Sequence, residues 1–373
     1  MGKAKFKIAS IVGARPQFIK EFPIKKEIKN FPEFEEVLIH TGQHYDYEMS
    51  KVFFEELEIP NPNYHLGIGS ASQGEQTGKM ISEIEKVLIK EKPDITFVYG
   101  DTNSTLAGAI ASVKLKIPVA HIEAGLRSFR MDMPEEVNRV LTDRISTLLF
   151  CPTKTSVENL KNEGIVNNSK NKILDINKRY IFLVGDVMEE ALGLFIPKIE
   201  KNQDFLKELD LKQKKYLLIT IHRAENTDKK ERLEKIFKIL EELLSVFEIV
   251  FPIHPRTRKM IKEFNIKIPK NLKIIKPLSY IKMLTLEKNS FAILTDSGGV
   301  QKEAFWLGIP CFTLRKETEW IETVKEKRNF VVDLDINKIK RNIKNLNNFK
   351  LNTKNNKRVS KNILEILRNF VYV

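Results

Sequence analysis

Residues 117–128, IPVAHIEAGLRS, indicate the fold more clearly than any other stretch of the chain. The apolar run from 117 to 122 predicts a short buried strand, and the strand ends in the carboxylate Glu123, followed by Gly125 and Arg127. In α/β proteins, reactive groups lie in the loops where parallel strands end. The stretch therefore predicts an α/β protein in which Glu123 occupies the position of a catalytic carboxylate.

The same alternation of strand and helix recurs along the whole chain. Apolar runs predict strands at 6–13, 35–40, 94–100 and 117–123, with helical periodicity at 17–29, 73–90, 103–115 and 135–146. After residue 186, strands are predicted at 216–222, 247–254, 271–277, 291–296 and 309–314, again with helices between them. Such alternation is typical of parallel sheets covered by helices.

The pattern predicts two Rossmann-like parallel-sheet domains that face a central cleft. Their expected bounds are 1–185 and 186–356, and a helix at 357–373 is expected to pack back on the first domain. A chain of 373 residues is too long for one core. Ligands of such sheets bind at the carboxyl ends of the strands, so we expect the ligand between the two carboxyl edges.

Composition places the chain among ordinary globular proteins, with 42% hydrophobic and 30% charged residues. The sequence contains no apolar run of bilayer length, and its start passes into a strand without a signal-peptide pattern. We therefore expect a cytoplasmic protein with no membrane partner. Cys151 and Cys311 are predicted to be buried thiols and not a disulfide.

The net charge of +14 suggests an anionic ligand. Nucleic acid is disfavoured, because no nucleic-acid-binding motif is present and the lysines are spread along the chain. A small anionic ligand suits this charge at least as well. The densest basic part, residues 337–358, has few apolar residues and is predicted to be a solvated, Asn-rich connector.

Two turns suggest where phosphate binds. The turn after the first strand, VGARPQFIK, has no GxGxxG motif and carries Arg15 and Lys20, so a tightly held nicotinamide cofactor is not expected. The segment DSGGVQKEA, residues 296–304, places two glycines between a strand and a helix, where backbone N–H groups and the helix dipole attract an anion. An ordinary strand-to-helix turn is the alternative for this segment.

Eight motifs follow one another in a fixed order: GARPQFIK, TGQH, YGDTNST, HIEAGLRS, MPEEVNR, ITIHRAEN, PIHPR and DSGGVQKEAFWLGIP. In this order they resemble the non-hydrolysing UDP-N-acetylglucosamine 2-epimerases, from the first strand to about residue 332. The resemblance implies a glycosyltransferase-B-like fold, a homodimer, and interconversion of UDP-GlcNAc and UDP-ManNAc without a cofactor. A metal site built from His121, Glu123, His222 and His254 is not expected, because their spacing matches no ligand pattern.

The resemblance also implies roles for individual residues. The catalytic residues would be Asp101, Glu123, Glu135 and His222. The residues that bind UDP and sugar would be Arg15, Lys20, Arg139, His254, Met283, Ser297, Gly298, Gly299, Glu303 and Arg315. A regulatory site for a second UDP-GlcNAc would contain Gln43, His44 and Gln73.

The implied reaction removes UDP to leave a 2-acetamidoglucal and then adds UDP back, with proton return on the opposite face of carbon 2. Such a cycle needs carboxylates on both faces of the sugar and firm binding of the departing pyrophosphate. Which carboxylate removes the proton stays open. Binding of UDP is expected to bring the domains together and exclude water.

Each implied catalytic residue has a structural alternative. Asp101 could cap the following helix, Glu123 could pair with Arg127, and Glu135 could only favour the start of a helix. His222 and His254 could be satisfied core histidines.

The function also has alternatives: a hydrolysing relative, a 2-epimerase for a UDP-2,3-diacetamido sugar, a glycosyltransferase of the same fold, or a nucleotide-sugar sensor. Trp320 departs from the pattern, since many bacterial members have arginine there. Its role is left open between stacking and packing.

Overall fold

The computed structural model describes residues 5–43, 61–169, 171–346 and 358–371. Its first part contains β1 (Phe6–Val12), α1 (Arg15–Ile28), β2 (Phe34–His40), β3 (Tyr64–His65), α2 (Gln73–Glu91), β4 (Ile95–Tyr99), α3 (Asn103–Lys114), β5 (Val119–Ile122), α4 (Pro134–Ile145), β6 (Leu148–Cys151), α5 (Lys154–Asn162) and β7 (Tyr180–Leu183).

The later part continues this alternation. It contains α6 (Val187–Lys201), α7 (Asp204–Glu208), β8 (Tyr216–Thr220), α8 (Ala224–Thr227), α9 (Lys230–Leu243), β9 (Glu248–Pro252), α10 (Pro255–Glu263), β10 (Lys273–Ile275), α11 (Tyr280–Asn289), β11 (Ala292–Thr295), α12 (Gly298–Leu307), β12 (Cys311–Thr313), α13 (Ile321–Lys325), β13 (Asn329–Val331), α14 (Ile336–Asn345) and α15 (Val359–Val371).

The described strands form two parallel sheets, one of seven strands and one of six. Their orders are β3-β2-β1-β4-β5-β6-β7 and β10-β9-β8-β11-β12-β13. The strand order changes direction at β1 and β4 in the first sheet and at β8 and β11 in the second. Crevices open beyond the carboxyl ends of strands at such switch points. The predicted α/β class with two parallel-sheet domains is confirmed.

The structure divides into two compact units. The first unit contains the described residues up to Ala191 and those from Arg358 onward, and the second contains Leu192 to Leu346. The division lies inside α6, six residues beyond the expected boundary after residue 185. Glu190 in the first turns of α6 accepts hydrogen bonds from the Ser360 N–H and hydroxyl, both at 2.7 Å, which joins the start of α6 to the first unit. In the first unit α15 packs against α1, and the Phe370 ring lies 4.8 Å from that of Tyr180.

Each unit has its own apolar core. In the first unit the residues of β4 and β5 are buried throughout, as expected for strands covered by helices on both faces. In the second unit α9 places Leu233, Phe237 and Leu240, spaced for one helical face, into the core beside its sheet. Cys151 and Cys311 are buried free thiols, as predicted.

The prediction of a connector at 337–358 is wrong for its first part, which forms α14. Ile336, Ile339, Ile343 and Leu346 are spaced three and four residues apart, so they form one apolar stripe on a basic helix. Ile339 is completely buried in the core of the second unit. Residues 347–357 lie outside the described part of the chain. Across the described stretches, no helix combines the length and apolar character needed to cross a membrane.

Candidate active site

Glu123 follows β5 in a tightly constrained turn. Its backbone is left-handed, with φ of 76°, and the N–H groups of Glu123 and Ala124 both donate to the Phe150 carbonyl at 3.1 Å. Two residues later Gly125 has φ of 80°, and a Cβ there would lie 2.4 Å from the Ser156 carbonyl oxygen. Only glycine fits this position, so the backbone conformation of the turn is restricted and the orientation of the Glu123 side chain is fixed.

The partner of Glu123 is Lys20 of α1. The Lys20 Nζ donates to Glu123 Oε1 at 2.6 Å, and both side chains are only 7% exposed. Arg127 instead contacts Asp143 and Glu163. The alternative of a Glu123–Arg127 pair is therefore wrong, and Lys20, expected at a phosphate, contacts the carboxylate.

Burial shifts the protonation of this pair. Burial raises the pKa of the Glu123 carboxyl, and Lys20 opposes the shift, whereas the charges of Asp186 and Asp101 add to it. For Lys20, burial alone would lower the pKa, but the Glu123 and Asp101 carboxylates outweigh burial and raise it. A buried carboxyl that holds its proton to higher pH beside a stable cation is a common feature of acid/base sites.

Asp101 follows β4, the strand that pairs with β5. Its Oδ2 accepts from the Arg139 Nη2 at 2.5 Å, and its carbonyl accepts from Asn138 at 2.9 Å. The cap of α3 is Thr102, whose side chain accepts from the Thr105 N–H. The alternative of Asp101 as a helix cap is therefore wrong.

Helix α4 brings several predicted residues together. Glu135, Arg139 and Asp143 are spaced four residues apart, so they share one face of the helix. Glu135 is half-buried in the first turn. Arg139, expected at the substrate, holds Asp101 and also donates to Glu136 Oε2 at 2.7 Å.

Glu136, which the sequence analysis did not include in the site, is almost completely buried. It accepts from the N–H groups of Ser128 and Phe129, both at 2.9 Å. Burial alone would raise the pKa of Glu136, but these hydrogen bonds and the one from Arg139 outweigh it and lower the pKa. Glu136 is therefore buried and hydrogen-bonded, whereas the adjacent Glu135 is half-buried. The sequence PEE alone does not distinguish the two glutamates.

A buried charged cluster lies beneath the two carboxylate turns, and no pattern in the sequence predicted it. The ring nitrogens of His121 lie 2.7 Å from Asp143 Oδ1 and 2.7 Å from the Gly100 carbonyl oxygen. Arg127 donates to Asp143 at 2.7 Å and contacts Glu163 through two nitrogens. Both His121 and Asp143 are completely buried.

The residues expected at a regulatory site lie at the start of α3. Gln43 Oε1 accepts from the Ser104 N–H at 3.1 Å and from its hydroxyl at 2.7 Å. Gln73 accepts from Asn103 at 2.7 Å. His44 lies outside the described residues.

In the second unit, His222 follows β8 at the switch point of the sheet. Asp296, at the end of the adjacent strand β11, is completely buried. It accepts from the His222 and Arg223 N–H groups, both at 3.1 Å, and its Oδ1 lies 3.7 Å from His222 Nδ1. Burial lowers the pKa of His222, against the opposing charge of Asp296.

His254 lies near His222, with ring centroids 5.5 Å apart. It caps α10, where its Nδ1 accepts from the Arg256 N–H at 3.2 Å. His222 is about a third exposed and His254 is exposed. The alternative of satisfied core histidines is therefore wrong for both.

The segment Ser297-Gly298-Gly299 forms the N-terminus of α12. Ser297 is the N-cap residue but makes no side-chain cap bond. A Cβ on Gly298 would lie 2.5 Å from Glu319 Oε1, whereas one on Gly299 would meet only the Ser297 hydroxyl at 3.9 Å. The helix therefore begins with backbone N–H groups beside an open position, which is a recurrent anion site.

The remaining predicted nucleotide residues lie around this helix. Glu303 is buried on α12, and Met283 is half-buried on α11, which packs against α12. Arg15, at the start of α1 in the first unit, is exposed. Arg315 is buried and donates to Glu319 at 2.9 Å, so its charge is already compensated.

Trp320 is 7% exposed. The Lys302 ammonium lies 4.1 Å from the centre of its ring, so Trp320 packs in the second unit beneath a cation. Among the described residues there is no group of three or more His, Cys, Asp or Glu side chains arranged to hold a metal ion.

Comparison with known proteins identifies related chains. The family model described as UDP-N-acetylglucosamine 2-epimerase matches residues 26–367. A Methanococcus maripaludis protein named as a UDP-N-acetylglucosamine 2-epimerase homolog is 54% identical, over 97% of this chain and 99% of its own. A Pseudomonas aeruginosa UDP-2,3-diacetamido-2,3-dideoxy-D-glucuronate 2-epimerase is 48% identical, over 87% of this chain and 88% of its own.

A solved structure gives a similar result. The crystal structure of Methanocaldococcus jannaschii UDP-GlcNAc 2-epimerase in complex with UDP-GlcNAc and UDP matches with a TM-score of 0.86 at 47% identity. The match covers 97% of this chain and 99% of the other.

Proposed function

The chain belongs to the UDP-N-acetylglucosamine 2-epimerase family, and we propose that it interconverts UDP-GlcNAc and UDP-ManNAc by inverting carbon 2 of the sugar. The observation that carries this proposal is the position of two carboxylates, Asp101 and Glu123, directly after the paired strands β4 and β5. Each carboxylate is held by a cation from a different helix, Arg139 and Lys20 respectively. The named relatives and the structure bound to UDP-GlcNAc support the substrate class.

In the proposed reaction a carboxylate takes the proton from carbon 2, and the electron pair of that C–H bond forms the C1=C2 double bond. The bond between carbon 1 and the phosphate oxygen breaks, and UDP leaves with its electron pair. The products are UDP and 2-acetamidoglucal. In the return step a UDP oxygen adds to carbon 1 while an acid protonates carbon 2 on the opposite face, so atoms and charge balance.

The first unit is proposed to supply the acid/base groups. Glu123, Asp101 and Glu135 are the candidates, and the raised pKa of Glu123 suits a group that alternately holds and gives a proton. Lys20 would stabilise the ionised form of Glu123, and Arg139 would hold Asp101 in place.

The second unit is proposed to bind the nucleotide. The N-terminus of α12, with Ser297, Gly298 and Gly299, would bind pyrophosphate through backbone N–H groups. Glu303 would accept from the ribose hydroxyls. His222, oriented by Asp296 behind its Nδ1, would face the oxygen that leaves carbon 1.

Incubation with UDP-GlcNAc alone, without acceptor or nicotinamide, tests this function. The proposal predicts that UDP-ManNAc accumulates to equilibrium and that free sugar does not, as followed by proton NMR. Release of free ManNAc and UDP would indicate a hydrolysing enzyme instead. An unchanged nucleotide sugar would contradict the proposal and favour a glycosyltransferase or a sensor.

A second candidate substrate comes from the Pseudomonas aeruginosa relative, whose name specifies a UDP-2,3-diacetamido sugar acid. Both sugars share UDP and the 2-acetamido group, so the nucleotide contacts alone do not distinguish them. Comparing kcat/KM for the two substrates decides between them. We expect UDP-GlcNAc to give the higher value, and a preference of about tenfold or more for the diacetamido sugar would reverse the assignment.

Homodimer formation and regulation complete the proposal. From the family resemblance we infer a homodimer, which sedimentation at micromolar concentration can test.

We also infer a second UDP-GlcNAc site near Gln43 and Gln73, because both contact the start of α3, the helix that follows Asp101. The reverse reaction from UDP-ManNAc should accelerate when a trace of UDP-GlcNAc is added, and Gln43→Ala should abolish only that acceleration. Equal initial rates with and without the trace would contradict the regulatory site.

A further inference from the structure

The cluster of His121, Arg127, Asp143 and Glu163 connects the two turns that carry the proposed catalytic carboxylates. His121, the third residue of β5, contacts the carbonyl of Gly100, which directly precedes Asp101. Asp143 accepts from the N–H of Gly125 at 3.0 Å, two residues beyond Glu123. The cluster therefore spans from one turn to the other through side chains alone.

The hydrogen-bond partners define how His121 is oriented. A backbone carbonyl only accepts hydrogen bonds, so the Nε2 of His121 donates to the Gly100 carbonyl, and Nδ1 lies beside Asp143 Oδ1. Burial alone would raise the pKa of Asp143, but His121 and Arg127 outweigh burial and lower it. Arg127 contacts both the Asp143 and the Glu163 carboxylates, so these buried charges compensate one another.

The same cluster restrains the Glu123 turn from two sides. The N–H of Gly125 donates to Asp143, while its carbonyl accepts from Asn159 Nδ2 at 3.0 Å. On α4, Asp143 lies one turn beyond Arg139, the residue that holds the Asp101 carboxylate. One rigid helix thus fixes the Asp101 side chain directly and the Gly100 carbonyl through His121.

We propose that His121 and Asp143 are positioning residues that hold Asp101 and Glu123 in the arrangement required for proton transfer at carbon 2. This role rests on the proposed function. Both side chains are completely buried, so they would act through Asp101 and Glu123. A displacement of about 1 Å in a reacting group can cost about 10²-fold in rate, so loss of this support should reduce turnover without weakening nucleotide binding.

Two substitutions at His121 separate its contacts. The amide nitrogen of Gln lies near the position of Nε2, so His121→Gln keeps a donor to the Gly100 carbonyl. The amide nitrogen of Asn lies near Nδ1, so His121→Asn keeps only the contact with Asp143. We expect His121→Asn to lower kcat by about 10²-fold and His121→Gln to lower it less, with KM and the Kd for UDP within about twofold of wild type in both.

Two further variants complete the set. Asn159→Ala removes only the bond to the Gly125 carbonyl from a half-buried side chain, so it keeps the core intact and should still lower kcat. Ser146→Ala is the matched control, because Ser146 is buried at the end of α4 but donates only to the Thr142 carbonyl. The kcat of Ser146→Ala should equal that of the wild-type protein. Circular dichroism establishes that each variant is folded.

The hydrogen bond from His121 gives a readout that does not depend on activity. In ¹⁵N-histidine-labelled protein, the His121 signals are those of the chain's six histidines that His121→Gln removes. The Nε2 of His121 should carry a proton, because it donates to the Gly100 carbonyl. An unprotonated Nε2 would contradict the contact with the Gly100 turn. The positioning role would be contradicted if His121→Asn and Asn159→Ala were folded and kept wild-type kcat. It would also be contradicted if these variants lost as much UDP affinity as kcat. A wild-type protein without epimerase activity would instead contradict the proposed function.

Discussion

At the scale of single residues, the site depends on carboxylates held by individual cations. Lys20 and Glu123 come from α1 and from the end of β5, and they meet at 2.6 Å in a buried position. Asp101 is more accessible, at 27% exposure, and is held by Arg139. Burial raises the pKa of Glu123, which suits a group that is proposed to hold a proton and give it back.

Substitution of the carboxylates tests their role. Glu123→Gln, Asp101→Asn and Glu135→Gln should each lower kcat by about 10²–10⁴-fold, the usual contribution of a positioned acid or base. The control is Glu75→Gln, since Glu75 is exposed on α2 and pairs only with Lys79 across one helical turn. If Glu123→Gln keeps near-normal turnover while folded, the assignment of Glu123 is wrong.

Asp143 should make stability depend on pH in a defined direction. Its pKa in the folded protein is lowered from an ordinary value of 3.8, so its ionised form stabilises the fold at every pH above about 4. The contribution is lost as pH falls through the lowered value. Asp143→Asn should therefore reduce the free energy of unfolding by about 3–5 kcal/mol at pH 7, the cost of breaking a buried ion pair.

Denaturant unfolding of both proteins between pH 7 and pH 3 measures this difference. We expect the difference to shrink as pH falls below about 4, where Asp143 in the unfolded chain becomes protonated. A difference that stayed undiminished between pH 4 and pH 3 would contradict the ionised state of Asp143.

At the scale of elements, the central strands were predictable because they are buried on both faces. The apolar runs at 94–100 and 117–123 correspond to β4 and β5, and the boundaries differ by a few residues. Strands β3, β6, β7 and β13 were not predicted. They have only two to four residues, so the apolar runs that form them are short. In α14, the isoleucine stripe was concealed by the surrounding Lys and Asn residues, although its spacing is helical.

The turn after β5 can be tested with a matched pair of glycines. Gly125 and Gly164 both have left-handed backbones, with φ of 80° and 73°. A Cβ at Gly125 would clash with the Ser156 carbonyl at 2.4 Å, whereas a Cβ at Gly164 would have nothing within 4 Å. Backbone strain should lower the free energy of unfolding of both alanine variants by about 1 kcal/mol. In Gly125→Ala the clash should lower it by about 1–3 kcal/mol more.

Thermal unfolding compares the two variants directly. Gly125→Ala should also lower kcat, because the clash displaces Glu123. Equal unfolding temperatures for the two variants would show that the turn after β5 tolerates displacement.

At the scale of the whole molecule, the sequence predicted which reactive groups follow strands but not how they pair. Asp101, Glu123 and His222 each follow an apolar run that forms a strand, and strand ends can be predicted from a linear pattern. The contacts of Lys20, Arg139, Arg315 and His121 could not be predicted in this way. The contacts of Lys20, Arg139 and His121 join elements that lie far apart in the chain. The contact of Arg315 with Glu319 lies within the irregular loop between β12 and α13, whose path has no periodic pattern. We propose chemistry in the first unit, because the paired carboxylates Asp101 and Glu123 lie there, and UDP binding in the second, because the N-terminus of α12 lies there.

Deuterium incorporation tests the central claim most directly. UDP-GlcNAc incubated with the protein in heavy water should yield UDP-ManNAc with deuterium at carbon 2, because the proton taken by a carboxylate exchanges with solvent before it is returned. Recovered UDP-GlcNAc should gain deuterium at the same carbon by the reverse reaction. Mass spectrometry and proton NMR measure both. Formation of UDP-ManNAc with the original hydrogen fully retained at carbon 2 would contradict proton abstraction and, with it, the roles assigned to Asp101 and Glu123.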